Sequence, residues 1–267
     1  MNSLSGFLPV PPPEPAMQTT SVVKPELDLE SLNTMFETSD PARIVEWTAA
    51  QFGAPNVVMS SSFGAESAVL LHMATRVVPD IKVIFVNTGY LFPETHSHME
   101  ALRYRLNLNV WIYRTHNDPV GYLHAAGEDN PAWRKDINAC CAANKNEPFE
   151  RAMRQLKPVA WMRGIRRDQA ATRQASKFIE FSRRFNCHAI SPLLNMGRRE
   201  IHAYLKQHDL PYHPLFDKGY ASIGCNPLSC TRPIQIGEDP RDGRWSEADK
   251  IECGINVDKN SLDSAQI

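Results

Sequence analysis

Short apolar runs alternate with amphipathic stretches through the middle of the chain. Val57-Val58-Met59, Val83-Ile84-Phe85-Val86, Val110-Trp111-Ile112-Tyr113 and Val159-Ala160-Trp161-Met162 are rich in β-branched and aromatic residues and predict four strands. Between them, Ala65 to Thr75 repeats apolar side chains at helical spacing. Pro93 to about Tyr104, Pro148 to Leu156 and Arg198 to Gln207 read as further helices. Asp40 followed by Pro41 is a helix start, a capping carboxylate with a proline at the first helical position, and Gly53 ends that helix. Short strands alternating with helices of ten or more residues predict an α/β fold, a doubly wound and mostly parallel sheet.

The two ends of the chain break this pattern. Pro9, Pro11, Pro12, Pro13, Pro15 and Pro25 crowd a stretch without apolar periodicity, so residues 1–31 read as a disordered leader and order is expected from about Leu32. Residues 32–236 carry the alternating pattern and form one expected domain. Residues 237–267 are polar and Gly/Asp-rich, and read as a flexible tail. The first basic residue is Lys24 and no run nears the roughly 18 apolar residues of a membrane span, so a cytoplasmic protein is expected.

Composition narrows the chemistry. With 29 Lys+Arg against 30 Asp+Glu the net charge is −1, which gives no support to binding along a nucleic-acid backbone and leaves room only for a local basic pocket. In a reducing compartment the 6 cysteines point to metal, redox or catalytic roles before disulfides. Cys140-Cys141 is an adjacent pair, Cys225 and Cys230 form a C-x4-C pair, and two such pairs suit a four-cysteine iron–sulfur or zinc site. Cys187 reads as a buried strand residue. Cys253, beside Gly254 in the tail, is a candidate nucleophile, although Glu252 next to it would disfavour a thiolate.

Ligands of such sheets bind beyond the carboxyl ends of the strands. There the chain places Ser60-Ser61-Ser62-Phe63-Gly64-Ala65-Glu66-Ser67, a Ser/Gly-rich turn suited to phosphate. A plain Ser-capped connection would read the same way. Gly164-Ile165-Arg166-Arg167-Asp168-Gln169 and the following Arg173 gather three arginines, a costly grouping unless an anion shares them.

Taken together, these segments resemble the phosphosulfate reductases of assimilatory sulfate reduction, of the adenine-nucleotide α-hydrolase-like superfamily. The resemblance runs from about residue 38 to 254. Its signatures are S-S-S-F-G-A-E-S, N-T-G-Y-L-F-P-E-T, G-I-R-R-D-Q, D-K-G-Y-A-S-I-G-C and the late E-C-G. It implies a cluster-bearing enzyme that reduces adenosine 5′-phosphosulfate (APS) to sulfite and AMP. Cys140, Cys141, Cys225 and Cys230 would hold a 4Fe–4S cluster, with Lys145 near cluster and substrate. Ser60, Ser62, Gly64, Arg166, Arg167, Arg241 and Arg244 would contact the substrate anions, and Cys253 would form an S-sulfocysteine. Thioredoxin or glutaredoxin would act in trans, since the chain has no C-x-x-C pair, and a homo-oligomer is compatible with the family. Three departures from the pattern stand out: the second cysteine pair is C-x4-C where C-x2-C is usual, Ile255 and Asn256 stand where Leu-His is usual, and Asn87 and Ala170 replace Asp and Ser. The alternatives are a reductase of the 3′-phosphorylated substrate (PAPS) without a working cluster, an ATP-using thiolating relative, and a zinc-stabilised nucleotide-binding module.

Overall fold

The computed structural model describes residues 27–115, 137–226, 230–235, 237–238, 241–245, 250, 252 and 254–256. The Pro-rich stretch and Cys253 lie outside the described residues. Among those described, six strands form one sheet: β1 (Val57–Ser60), β2 (Lys82–Asn87), β3 (Asn109–Arg114), β4 (Ala160–Arg163), β5 (Ile179–Ser182) and β6 (Cys187–Ile190). The helices are α1 (Leu29–Phe36), α2 (Pro41–Phe52), α3 (Ala68–Val77), α4 (Pro93–Leu106), α5 (Ile137–Cys141), α6 (Glu147–Leu156) and α7 (Arg198–Gln207).

Strand order is β3-β2-β1-β4-β6-β5, with every pairing parallel except β5 to β6. The mostly parallel, doubly wound sheet expected from the periodicity is the observed one. Its strands are apolar at consecutive positions because both faces are covered. Val57, Met59, Val83, Phe85, Ala160 and Met162 point into the larger core with α2, α3 and α7. Val58, Ile84 and Trp161, one residue out of phase, pack on Phe149, Ala152 and Met153 of α6.

Asp40 caps α2 by accepting from the Ala42 amide at 2.8 Å, and Gly53, at φ +78°, ends it as expected. Cys187 is fully buried in β6. Three features differ from the sequence expectation. Helix α1 starts at Leu29, three residues before Leu32, with Asp28 accepting from the amides of Glu30 and Ser31. Helix α3 begins at Ala68 because the preceding turn runs on to Ser67, whose amide and hydroxyl both donate to the Gly64 carbonyl. The edge strand β5 was not legible at all. Asn33 of α1 completes it by donating to the Ile179 carbonyl at 2.8 Å and accepting its amide at 3.1 Å, the pattern of one further strand residue. No helix among the described residues is long and apolar enough to cross a membrane.

Candidate active site

Strand order reverses between β1 and β4, so the connections leaving their carboxyl ends diverge and open a crevice. The register sets Ser60 directly opposite Arg163 there. A cavity of about 270 Å3 occupies the crevice, at the small end for ligand sites. After Ser60 the chain turns sharply at Phe63, which holds φ +50°. Such a backbone is strained for a bulky residue and persists because the ring is fully buried against Phe85, centroids 5.1 Å apart. The turn brings Ser60, Ser61, Ser62 and Gly64 to the cavity wall, and the Ser60 hydroxyl accepts from the Trp161 indole at 2.9 Å.

The cavity is cationic. Lys145, Arg163, Arg166, Arg173, Arg198, Arg241 and Arg244 line it, against the carboxylates of Glu66, Asp168 and Glu252. Seven cations facing three anions among the described residues make a site for a multiply charged anion. Arg166 is 3% exposed and held by Glu66 at 2.6 Å and Asp168 at 2.9 Å. Arg163, also buried, donates to Ser191 at 3.1 Å and pairs with Glu180. Arg167 does not line the cavity. It turns away to Glu37 at 2.7 Å and Asn195 at 2.6 Å, and its hydrogen bonds hold the Glu37 carboxyl down at about 2. Sequence spacing could not separate these neighbours, because residue 166 stays in extended backbone and residue 167 opens a 3-10 turn. Arg163 and Arg198 were missed; Arg163 had a signal, the terminal position of a strand beside the crevice, and Arg198 had none. Arg173, one of the three arginines whose grouping in the sequence calls for an anion, does line the cavity.

The tail packs on the site where it is described. Trp245 is 3% exposed beneath the Arg244 guanidinium, 4.4 Å from ring centroid to Cζ. Arg244 donates to the Cys230 carbonyl at 2.9 Å and lies so close to Gly224 that any Cβ there would collide with it. Glu252 accepts both Arg173 donors at 2.8 Å and Arg241 at 3.3 Å.

Cys140, Cys141, Cys225 and Cys230 wall a second, smaller cavity of about 20 Å3 with Tyr90, Asn144 and Ile137. Cys140 and Cys141 end α5, and a wide π-type turn over Ala142–Asn146 follows, with Lys145 lining the same pocket. Cys225 and Cys230 share the wall despite their longer spacing. The Asn144 amide donates to the Cys140 carbonyl at 3.1 Å, and the Thr88 hydroxyl meets Cys225 sulfur at 3.4 Å. Burial pushes the Cys140 thiol up to about 11 and the Cys230 thiol up to about 12, so a compensating cationic group is needed to make thiolates of them. Four soft sulfur donors lining one pocket are the donor set of an iron–sulfur cluster. Among the described residues no group of three His, Cys, Asp or Glu side chains is arranged to hold a single metal ion. Lys145, Cys225, Arg244 and Trp245 line both cavities, so the two adjoin.

Residues 56–233 match the family model for the phosphoadenosine phosphosulfate reductase domain. Phosphoadenosine 5′-phosphosulfate reductase of Synechocystis is 38% identical over 91% of this chain and 98% of its own length. Adenosine 5′-phosphosulfate reductase of Halalkalibacterium halodurans is 35% identical over 86% of this chain and 97% of its own. The structure of phosphoadenylyl-sulfate reductase from Candida auris, in a phosphate complex, superposes with a TM-score of 0.65 at 25% identity, covering 74% of this chain and 93% of that one. FMN adenylyltransferase of Candida glabrata shares the fold alone, with a TM-score of 0.54 at 14% identity. On a sheet that opens a cationic crevice at its switch point, and with relatives matching along nearly their whole length, this chain belongs to the phosphoadenosine phosphosulfate reductase family.

Proposed function

We propose that this protein reduces APS to sulfite and AMP in the cytoplasm, with a dithiol protein of the thioredoxin or glutaredoxin class as reductant. The observation that carries the reading is the shared wall of Lys145, Cys225, Arg244 and Trp245, which sets the four-cysteine pocket against the anion cavity. The Cys253 thiolate attacks the sulfur of the substrate. The bond from sulfur to the bridging phosphate oxygen breaks, and AMP leaves with the electron pair, giving S-sulfocysteine. A thiolate of the reductant then attacks the Cys253 sulfur and expels sulfite. Its second thiol resolves the mixed disulfide, so the dithiol is oxidised by two electrons and the Cys253 thiol returns.

Charge spreads over sulfate and phosphate oxygens in the first step, and Lys145, Arg241 and Arg244 are the cations set to offset it. Ser60, Ser62, Gly64 and Arg166 line the same cavity. Cys140, Cys141, Cys225 and Cys230 would hold a 4Fe–4S cluster, whose iron would stabilise the four thiolates and which would cross-link two distant segments.

A second reading, reduction of PAPS, is favoured by the names of several relatives, those of Synechocystis and Xylella fastidiosa among them. Sulfite release from APS and from PAPS by the same anaerobically purified protein separates the two. Preference for APS, together with bound iron and acid-labile sulfide, is expected; a PAPS-specific, iron-free protein that turns over normally would overturn the first reading.

A further inference from the structure

Glu252 stands where a carboxylate is least expected, directly before the proposed nucleophile. Its side chain, 11% exposed, is gripped by Arg173 through two bonds of 2.8 Å and by Arg241 at 3.3 Å. On the other side of residue 253, the Gly254 carbonyl accepts from Arg184. Arg184 is itself fixed by Glu150 of α6 at 2.5 Å and lies over the Phe185 ring at 4.9 Å. A Cβ at Gly254 would lie 2.7 Å from the Asn146 side-chain amide nitrogen, so a larger residue there would have to displace that side chain. Ile255 then packs among the aromatic residues beside α6.

From these contacts we infer that Arg173 and Arg184 are positioning residues, which clamp Glu252 and Gly254 and so dock the tail on the domain beside the anion cavity. The inference rests on the reading of Cys253 as nucleophile. The physical reason is covalent: consecutive Cα atoms are about 3.8 Å apart, so a residue whose two neighbours are both tied can travel little further than that. The clamp also answers the electrostatic objection raised by the sequence. One carboxylate shared by two guanidiniums, those of Arg173 and Arg241, makes a group that is net positive and not net negative. The clamp joins two ends of the domain: Arg173 follows β4, Arg184 links β5 to β6, and both act on the tail.

Docking and electrostatics are separable by experiment. Glu252→Gln removes an anion and Arg173→Gln removes a cation, so they push the thiol in opposite directions electrostatically while both open the clamp. Arg184→Ala opens it from the far side without touching the cavity. The full-length holoenzyme variants are assayed for single-turnover S-sulfocysteine formation at saturating substrate. Iodoacetamide labelling of Cys253 is read by peptide mass in the same samples, with the thermal unfolding midpoint as a check on folding. All three variants should slow S-sulfocysteine formation at least about tenfold, the scale expected for a displaced reacting group, and all three should speed labelling. Opposite labelling shifts in Glu252→Gln and Arg173→Gln, or wild-type rates in Arg184→Ala, would overturn the clamp. If labelling accelerates in all three while Cys253→Ser still releases sulfite, the clamp stands and the nucleophile assignment falls instead.

Discussion

The floor and the roof of the anion cavity are built by different means. The floor is sheet: Ser60 and Arg163 end adjacent parallel strands, Trp161 beneath them is 1% exposed, and Arg166 is buried between Glu66 and Asp168. The roof is tail, held by ion pairs to Glu252, by the Trp245 ring against Arg244, and by the Arg184 contact to Gly254. A floor residue therefore serves the core and the site together, while a roof residue serves the site with little of the core depending on it. Damage to the floor should show first in unfolding, and damage to the roof first in turnover.

The largest effect that would sharpen this contrast is in the roof. Cys253→Ser should abolish sulfite release while substrate binding and the unfolding midpoint stay at wild-type values, measured by product assay, calorimetric titration and thermal melting. On the floor, Arg166→Ala takes the shared cation from Glu66, 17% exposed, and Asp168, 37% exposed. It should lower stability by about 2 kcal/mol in denaturant titration, the scale of lost charge-assisted hydrogen bonds to groups that water can still reach. A loss under 1 kcal/mol would show the floor to be as loosely coupled as the roof.

Protons test the floor from below. His98 and His213 are 3% and 0% exposed with rings 5.0 Å apart, beside Thr95 of the cavity wall. Burial lowers both to about 4. Their unfolded value lies near 6.5, so between those limits the unfolded chain binds more protons and stability rises with pH. The contribution is whole above about 6.5 and is lost as pH falls toward 4, on the order of 3 kcal/mol for the first ring to protonate. Urea titrations across that window should show it, and His98→Gln should flatten the profile.

The smallest effect belongs to Arg167, which lies on neither surface. Its pair with Glu37 is partly exposed, so Arg167→Ala should cost no more than about 1 kcal/mol and shift KM less than about twofold, against a larger loss at its neighbour Arg166. A tenfold rise in KM would place Arg167 at the substrate after all.

The difference between these adjacent arginines also marks how far the sequence could be read. Strands β1 to β4 and helices α2, α4, α6 and α7 were legible because the chain repeats apolar residues at the period of each element, and because Asp40, Pro41 and Gly53 carry local stop and start signals. Edge strand β5 and helix α1 were not, since each is completed by the other through Asn33, 146 residues away in the chain from Ile179. The cavity was located by the rule that ligands sit beyond strand ends. Four of the expected cations, Lys145, Arg166, Arg241 and Arg244, do line it with Ser60, Ser62 and Gly64.

By itself, then, the sequence determined the fold class, the crevice end of the sheet and the pairing of cysteines, because these follow from short-range periodicity and from residue types that few other chemistries use. Only the tertiary structure decided which arginine turns inward, that Cys225 and Cys230 face Cys140 and Cys141 across one pocket, and that Glu252 is neutralised by Arg173. Those outcomes depend on pairs of residues from distant segments meeting at bonding distance, and no local pattern along a chain records such a distance.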